Sequence, residues 1–538
     1  MFRNKSLVLP VLALGLSVAA VPLMAQDEAP QNWHHLDASK DKIRGVSSSR
    51  AYDELLKSRK SSTVVVAVID SGIDIQHPDL KNVIWVNKGE IPGNGIDDDD
   101  NGYVDDINGW NFIGGADGTH VDQDTYELTR EYARLKSSYD EKSEDDIPAD
   151  KKEEFAYYQK LKNKFNNKVR GMRQNKSGFD QIANMYNDAS SVITKHLGKE
   201  EFTPEELQDI QTEDDAVNTA ISQINYILMM GITAEDLKEA EEYFDTALNY
   251  GYNLEFDPRH IVGDNYADGN ERIYGNNDVI GPDATHGTHV AGIIAAERKN
   301  GIGMDGIADN VQIMVLRAVP NGDERDKDIA NAIRYAADNG AHIINMSFGK
   351  EFSPQKQLVD DAVAYASQKG VLFIHAAGND AKDVDTEDNF PNRYYLNGQT
   401  AEQWIEVGAS SWGDESNFVA GFSNYGQKEV DVFAPGVDIY ATVPGNEYKN
   451  LSGTSMAAPV VAGIAAVLKS YYPDLNAAQL KQIIKESSVK QYKETKVNKP
   501  GGGDVVFGKL SNTGGLANLY DALKMAEAMS KKDNKKKK

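Results

Sequence analysis

Short apolar runs alternate with amphipathic stretches over most of this chain. In residues 45–112 and 261–523, runs rich in β-branched residues are followed by segments with apolar residues at helical spacing. Near-continuous apolar strands that alternate with helices are typical of a parallel sheet covered on both faces. The pattern predicts a helix in DIANAIRYAADNG and buried strands in TVVVAVID, QIMVLRAV, HIINMS, VLFIHA and WIEVGA.

The segment between these two regions, residues 121–260, has a different pattern. It is highly charged, and its apolar residues recur at helical spacing, as in Phe155, Tyr158, Leu161, Phe165 and Val169. Capping-box signals, in which two side chains satisfy free N–H groups at a helix N-terminus, occur in residues 203–206 and 233–236. Gly231 stands where a helix would end. We therefore expect an α-helical subdomain inserted into an α/β domain.

The N-terminus has the layout of a secretory signal peptide. Arg3 and Lys5 precede an apolar stretch from Leu7 to about Val21, and Ala25 precedes a polar segment. An uncleaved membrane anchor is the alternative. No later run approaches the roughly 20 apolar residues that cross a bilayer. The sequence thus predicts a secreted protein, extracellular or periplasmic, with no membrane span after the signal peptide is removed.

These patterns predict a division of the chain into five segments. The tail KKDNKKKK is a short basic run, which favours a solvated, disordered end. We expect a signal peptide in residues 1–25, a first part of an α/β domain in 26–120, a helical insertion in 121–260, a second part of the α/β domain in 261–524 and a basic disordered tail in 525–538.

Composition narrows the chemistry of the protein. The 538 residues carry a formal net charge of −26 and include no cysteine. An acidic excess argues against nucleic acid as a partner, because phosphate binding depends on Lys and Arg. It suits hard cations such as calcium. The lack of cysteine excludes disulfides, zinc–thiolate sites and a cysteine nucleophile.

Three candidate catalytic side chains stand where strands end or helices begin. Asp70 ends the strand TVVVAVID, His286 opens the helix in ATHGTHVAG, and Ser455 opens the helix in SGTSMAAP. In an open parallel sheet, chemistry gathers at the carboxyl ends of the strands. An aspartate, a histidine and a serine can form a relay in which imidazole takes the proton of the attacking hydroxyl. A serine at a helix N-terminus also places backbone N–H groups where an oxyanion forms.

Other roles fit single members of this set. Asp70 alone fits a residue that caps a turn. His286 and His289 fit a metal pair by their spacing, although no HExxH motif and no third ligand accompany them. The sequence around Ser455 is GTSMA rather than G-x-S-x-G, which argues against an α/β-hydrolase.

The segments DSGID, HGTHVAG and SGTSMAAP closely resemble the signature blocks of the subtilisin-like serine proteases, in that family's order Asp, His, Ser. INMSFG is similar to the strand that pairs with substrate, and HAAGND is similar to the block that carries the oxyanion asparagine. FSNYG and VDVFAPG also resemble family landmarks. The resemblance covers about residues 45–115 and 265–523, and four blocks in register are specific where one would be weak.

This resemblance implies a fold, an activity and a set of site residues. The implied fold is the three-layer α/β fold of subtilisins with a mostly parallel central sheet. The implied activity is a serine endopeptidase that acts on proteins or peptides through an acyl-enzyme, with no organic cofactor. The catalytic residues would be Asp70, His286, Ser455 and the oxyanion residue Asn379. The substrate-binding residues would be Ser347, Phe348, Gly349, Ala377 and Gly378.

Two alternatives accompany this interpretation. The protein as a whole fits a subtilisin-fold binding or scaffolding protein with gated or negligible activity. Asn379, taken alone in its glycine-containing loop, fits an ordinary turn residue.

The stretch NGIDDDDNGYVDDINGWNF predicts a structural calcium site. Asp97, Asp99 and Asn101 alternate before a glycine, as oxygen ligands do in a calcium loop. Tyr103 would offer its carbonyl, and Asp105 a further carboxylate (Asp106 is the alternative). The twelfth position holds an asparagine instead of the usual glutamate, so the loop is not an EF-hand. A solvated acidic loop without a cation is the other interpretation.

Overall fold

The computed structural model describes residues 29–536 except residue 415. These residues form two compact units. The first contains the residues up to Asp122 and from Pro258 onward, and the second is Gln123–Asp257. The segment predicted to be a signal peptide lies outside the described residues.

A seven-stranded parallel sheet organises the first unit. Its strands are β1 Val64–Asp70, β2 Gly109–Asn111, β3 Val311–Arg317, β4 Ile343–Met346, β5 Leu372–Ala376, β6 Trp404–Ser410 and β7 Val432–Pro435. They lie in the order β2-β3-β1-β4-β5-β6-β7, and every neighbouring pair is parallel. The five predicted apolar runs form β1, β3, β4, β5 and β6. The predicted α/β fold with a parallel central sheet is confirmed.

Four short strands form two antiparallel hairpins beside this sheet. They are β8 Ile439–Val443 with β9 Glu447–Leu451, and β10 Lys496–Asn498 with β11 Asp504–Val506.

The described residues contain twelve α-helices. They are α1 Ser48–Ala51, α2 Glu127–Tyr139, α3 Lys152–Leu197, α4 Pro204–Asp209, α5 Asp215–Met229, α6 Ala234–Thr246, α7 Thr285–Ala295, α8 Asp326–Asp338, α9 Lys356–Gln368, α10 Thr454–Tyr471, α11 Ala477–Glu486 and α12 Leu519–Lys536.

Both faces of the sheet are covered, because successive side chains of a strand point to opposite faces. In β1, Val66 and Val68 pack in the core with α7, α10, α11 and α12, whereas Ala67 and Ile69 pack in the core with α8 and α9. Of the helices described, α10 alone is long and apolar enough to cross a membrane, and 89% of it is buried in this unit. It is the central core helix, and its first turn carries Ser455.

The second unit is helical, as predicted for the insertion. Its longest helix, α3, has 46 residues and extends about 69 Å. The predicted capping boxes form at the N-termini of α4 and α6, where Thr203 and Thr233 accept hydrogen bonds from Glu206 and Asp236. Gly231 follows α5 with a φ of 74°, a left-handed conformation that glycine adopts without strain.

The C-terminal segment that the structure describes forms a helix. Helix α12 begins before residue 525 and continues to Lys536. Its apolar residues recur at helical spacing and pack on the main core, with Leu523 and Ala526 fully buried.

Candidate active site

The side chains of Asp70 and His286 meet where β1 ends and α7 begins. The Nδ1 atom of His286 lies 2.7 Å from Oδ1 of Asp70, although 216 positions separate the two residues in sequence. The same carboxylate oxygen accepts the N–H of Ser71 at 2.8 Å. Both residues are buried: His286 is 6% exposed and Asp70 is 2% exposed. A carboxylate in this place fixes the orientation and tautomer of the imidazole.

Two glycines allow this close approach. Gly72 has a φ of 125°, and a Cβ added there would lie 2.0 Å from the carbonyl oxygen of Ile280. A Cβ added to Gly287 would lie 2.1 Å from the carbonyl oxygen of Gly72. Any larger residue would push α7 away from the end of β1. The glycines of DSG and HGT are therefore packing requirements of the Asp70–His286 contact.

Ser455 lies in the first turn of α10 and is 6% exposed. Its hydroxyl donates to the carbonyl of Ser347 at 3.1 Å, and the hydroxyl of Ser347 donates to the carbonyl of Ser455 at 2.9 Å. Helix α10 also packs against α7, the helix of His286. Within the described residues, the Nε2 atom of His286 is buried and has no hydrogen-bond partner. That nitrogen is the atom through which imidazole accepts a hydroxyl proton.

Two N–H donors flank an open space beside Ser455. A Cβ added to Gly453 would lie 3.4 Å from Nδ2 of Asn379 and 3.5 Å from the backbone N of Ser455. Because residue 453 is glycine, this space stays free. Two donors that converge on one point can stabilise an oxyanion.

The amide of Asn379 is held in one orientation. Its Oδ1 accepts the backbone N–H of Thr454 at 2.8 Å and the Thr454 hydroxyl at 2.9 Å. That hydroxyl also accepts the N–H of Gly378 at 3.0 Å. With Oδ1 fixed by a backbone donor, the other amide atom must be the NH₂ group. Sequence reasoning missed Thr454, although it lies next to Ser455 in the GTS segment.

The five predicted substrate-binding residues divide into two groups. Ser347, Phe348 and Ala377 are engaged in the core: Phe348 is 4% exposed, and the Ala377 carbonyl accepts the amide of Asn424 at 2.8 Å. Gly349 and Gly378 instead border a narrow gap.

The side chain of Asn389 occupies this gap and was not predicted. A Cβ added to Gly349 would lie 2.6 Å from Oδ1 of Asn389, and one added to Gly378 would lie 3.8 Å from its Nδ2. The same NH₂ group donates to the Ala377 carbonyl at 3.2 Å. No motif marks Asn389 in the sequence.

The acidic loop forms a carboxylate cluster that differs from the predicted set. Among the described residues, carboxylate oxygens of Glu90, Asp99 and Asp106 lie within 4.8 Å of one another. Of the five predicted ligands, only Asp99 belongs to this cluster.

The other four predicted ligands make different contacts in the loop. The Asp97 carboxylate accepts backbone N–H groups of residues 101 and 102, and the Asp105 carboxylate accepts those of residues 93, 94 and 95. Asn101 donates its amide to Asp106 at 3.1 Å. The backbone carbonyl of Tyr103 stays a predicted ligand.

The donor set of the cluster fits a hard divalent cation. All three side chains offer oxygen, which calcium prefers. The pKa of Asp106 is raised to about 6: burial raises it most and the nearby charge of Asp99 adds to the effect, whereas hydrogen bonds from Tyr335, Asn87 and Asn101 lower it. A bound cation would offset this crowding of negative charge.

Comparison with known proteins identifies the family. The model of the subtilase family, Peptidase_S8, matches residues 61–508, which is most of the chain. The chain belongs to the subtilase family.

Curated relatives of this subtilase include a thermophilic serine proteinase from Bacillus sp. (strain AK1), which is 45% identical over 206 residues, or 38% of this chain and 47% of that protein. Subtilisin BL from Lederbergia lenta is 37% identical over 204 residues, or 38% of this chain and 70% of that protein. The aligned part of the chain spans about half the length of the first curated relatives.

Among solved structures, this subtilase is similar to one titled as proteases from Pseudoalteromonas arctica PAMC 21717. The sequence identity is 25% and the TM-score is 0.38, with 47% of this chain and 78% of that chain covered.

Three buried histidines lie in or near the helix of His286. His34 and His35 belong to a short turn before α1, and His289 lies one helical turn after His286. Burial lowers the pKa of His289 to about 4 and that of His35 to about 3. Burial also lowers the pKa of His34, and the proximity of His35 and His289 adds to this effect. The native fold of this subtilase thus requires these imidazoles to be neutral.

This requirement predicts a loss of stability in acid. Above pH 6.5, His289 is neutral in both folded and unfolded chains; as the pH falls towards 4, the unfolded chain binds the proton first. We expect His289 alone to lower the free energy of unfolding by about 2 kcal/mol between pH 7 and pH 5. Urea denaturation at pH 7 and at pH 5 measures this change in the free energy of unfolding. In His289→Gln, which keeps an N–H for the Lys449 carbonyl, the loss should be smaller.

The control is His196→Gln, which changes an exposed histidine on α3 and should keep the wild-type pH dependence. An unchanged pH dependence in His289→Gln would contradict the prediction.

Proposed function

We propose that this subtilase is a serine endopeptidase that cleaves protein or peptide substrates through an acyl-enzyme on Ser455. The observation that carries the proposal is the 2.7 Å contact between His286 and Asp70, with Nε2 of the same imidazole buried and free of partners among the described residues. That arrangement leaves one imidazole nitrogen ready to accept a proton while the other is held by a carboxylate.

In the proposed reaction, Ser455 Oγ attacks the carbonyl carbon of the scissile bond while His286 Nε2 takes the hydroxyl proton. Asp70 keeps the imidazole oriented and stabilises its positive charge. The negative charge on the carbonyl oxygen is stabilised by the Asn379 amide and the Ser455 N–H. His286 then protonates the leaving amine, and the C–N bond breaks. Water, deprotonated by His286, hydrolyses the ester and restores Ser455.

The substrate backbone is proposed to lie along the segments that contain Ser347, Phe348, Gly349, Ala377 and Gly378. Support comes from Gly349, which is exposed, and Gly378, which is partly exposed, beside the side chain of Asn389. Asn389 would then limit the depth available to a substrate side chain. We further propose that the protein is exported to the cell exterior or periplasm, as its N-terminal sequence indicates.

The relay predicts that its members act as one unit. Ser455→Ala, His286→Ala and Asp70→Ala should each lower kcat/KM for peptide hydrolysis by at least about 10⁴-fold, and the losses should not add in double variants. Circular dichroism and thermal unfolding should remain close to wild type. A Ser455→Ala protein with wild-type kcat/KM would contradict the proposal.

The oxyanion site predicts a separate effect on catalysis. Asn379→Leu removes one oxyanion donor together with the Oδ1 acceptor of Thr454, but it keeps the side chains of Ser455 and His286, so kcat should fall about 10²–10³-fold with little change in KM. Steady-state kinetics on a chromogenic peptide measures both constants. Asn389→Leu is the control, because it alters the neighbouring gap and should change KM more than kcat. If Asn379→Leu changes only KM, the residue positions substrate or supports a turn.

We propose that calcium binds the cluster of Glu90, Asp99 and Asp106 and stabilises the loop. The cation would supply positive charge to three converging carboxylates. Backbone N–H groups of residues 98, 99 and 105 already orient Glu90, and the Asn87 amide orients Asp99 and Asp106. The role is structural, since these contacts lie within one loop and its support.

Calcium binding predicts a melting temperature that depends on free calcium. Chelation should lower the melting temperature of the wild type, and the shift should grow with calcium concentration because only the folded site binds the ion. Asp99→Asn combined with Asp106→Asn should abolish the dependence. Asp100→Asn, which changes an exposed carboxylate outside the cluster, should retain it. Equal calcium dependence in the double variant and the wild type would contradict the site.

A further inference from the structure

Arg317 is an arginine buried at the end of β3, with 1% exposure. It is the register partner of Asp70 on the neighbouring strand β1. Among the described residues, no carboxylate lies within ion-pairing distance of its guanidinium. A buried cation without an ion pair is costly, so it is retained only where its hydrogen bonds matter.

The guanidinium makes three hydrogen bonds to separate segments of the chain. Nε donates to the Ser71 carbonyl at 2.9 Å, one terminal nitrogen donates to Oδ1 of Asn111 at 3.1 Å, and the other donates to the Val121 carbonyl at 2.6 Å. Gly281 approaches so closely that an added Cβ would lie 2.2 Å from Nε. The arginine, which follows the helical insertion in sequence, thus joins three segments that precede it, one of them the turn after Asp70.

Burial lowers the pKa of Arg317 to about 10. The charges of Asp122, Asp278 and Asp283, which act at longer range, raise the pKa and partly offset the effect of burial. The group therefore stays cationic at neutral pH, with its charge balanced by carboxylates that it does not contact.

The turn after Asp70 is held by three consecutive residues of β3 and its continuation. The carbonyl of Asp70 accepts the N–H groups of Ala318 at 3.0 Å and Val319 at 3.2 Å. The peptide of that carbonyl also carries the N–H of Ser71, which donates to Oδ1 of Asp70. The next peptide has its carbonyl fixed by Arg317. Both peptides that flank Ser71 are therefore immobilised from the same side.

We propose that Arg317 is a positioning residue for Asp70, and through it for His286. By fixing the Ser71 carbonyl, it limits rotation about Ser71, whose N–H on the preceding peptide orients the Asp70 carboxylate on Nδ1 of His286. This inference rests on the proposed peptidase function. Arg317 touches neither substrate nor reacting atoms, and it acts through one turn of backbone.

An arginine suits this position better than a lysine. Three acceptors on three segments surround the planar guanidinium, whose five N–H groups are fixed in direction. A lysine would keep the charge but not satisfy all three acceptors with the same geometry. Val121 directly precedes Asp122, where the first part of the main unit ends, so the contact also fixes the chain at the base of the insertion.

The test compares Arg317→Met and Arg317→Lys with Arg298→Met, which removes another buried arginine that does not contact residues 70–72. Active sites are counted by titration with a fluorophosphonate, and kcat is expressed per titrated site. We expect Arg317→Met to lower kcat about 10–100-fold and to leave KM within about twofold of wild type, because a small misalignment of a catalytic group strongly lowers the reaction rate. Arg317→Lys should recover part of this loss and remain at least about threefold below wild type. Arg298→Met should lower stability without changing kcat per site.

A second measurement does not depend on activity. In protein with ¹⁵N-labelled histidine, the Nδ1 proton of His286 should give a downfield resonance that is protected from exchange. This resonance should weaken or vanish in Arg317→Met and persist in Arg298→Met. If Arg317→Met does not fold, Arg317→Lys should still show the lower kcat and a faster-exchanging Nδ1 proton.

Wild-type kcat per site and an unchanged Nδ1 resonance in both Arg317 variants would overturn the inference. A wild-type protein without hydrolysis dependent on Ser455 would overturn the proposed function instead, and the resonance would still decide the role of Arg317.

Discussion

The hydrogen bond between Asp70 and His286 is the contact on which the proposed chemistry depends. In the sequence, the helical insertion separates the two residues by 216 positions, so they are not neighbours along the chain. The packing of the core places them side by side. The end of β1 packs closely against the start of α7 because Gly72 and Gly287, which lie at this contact, have no Cβ. The end of β3 holds the turn after Asp70 through backbone donors and one buried guanidinium.

Packing and a few short-range contacts also fix the position of Ser455. Its helix α10 is 89% buried in the main unit, so the position of its first turn is set by packing along the helix. One threonine next to the serine orients the Asn379 amide, and one glycine keeps the space between the two N–H donors open. Rigid support of this kind is what electrostatic stabilisation of an oxyanion requires, because donors that must reorient lose much of their effect.

Much of this architecture could be predicted from sequence, because buried parallel strands and the blocks around Asp70, His286 and Ser455 have linear signatures. The carboxylate cluster was harder to predict: spacing favours Asp97 and Asp105, which accept backbone N–H groups of the loop, whereas Glu90 stands outside the alternating pattern and meets Asp99 and Asp106 only in the folded loop. Asn389 has no signature, since its role arises only when its loop meets two glycines.

The central claim is that the insertion leaves a working relay intact in the core. Labelling of the full-length protein with a fluorophosphonate, followed by peptide mass mapping, tests it most directly. The account predicts a single labelled residue, Ser455, with labelling that is strongly reduced in His286→Ala and Asp70→Ala. Labelling at another residue, or labelling of Ser455 that is unaffected by loss of His286, would contradict it.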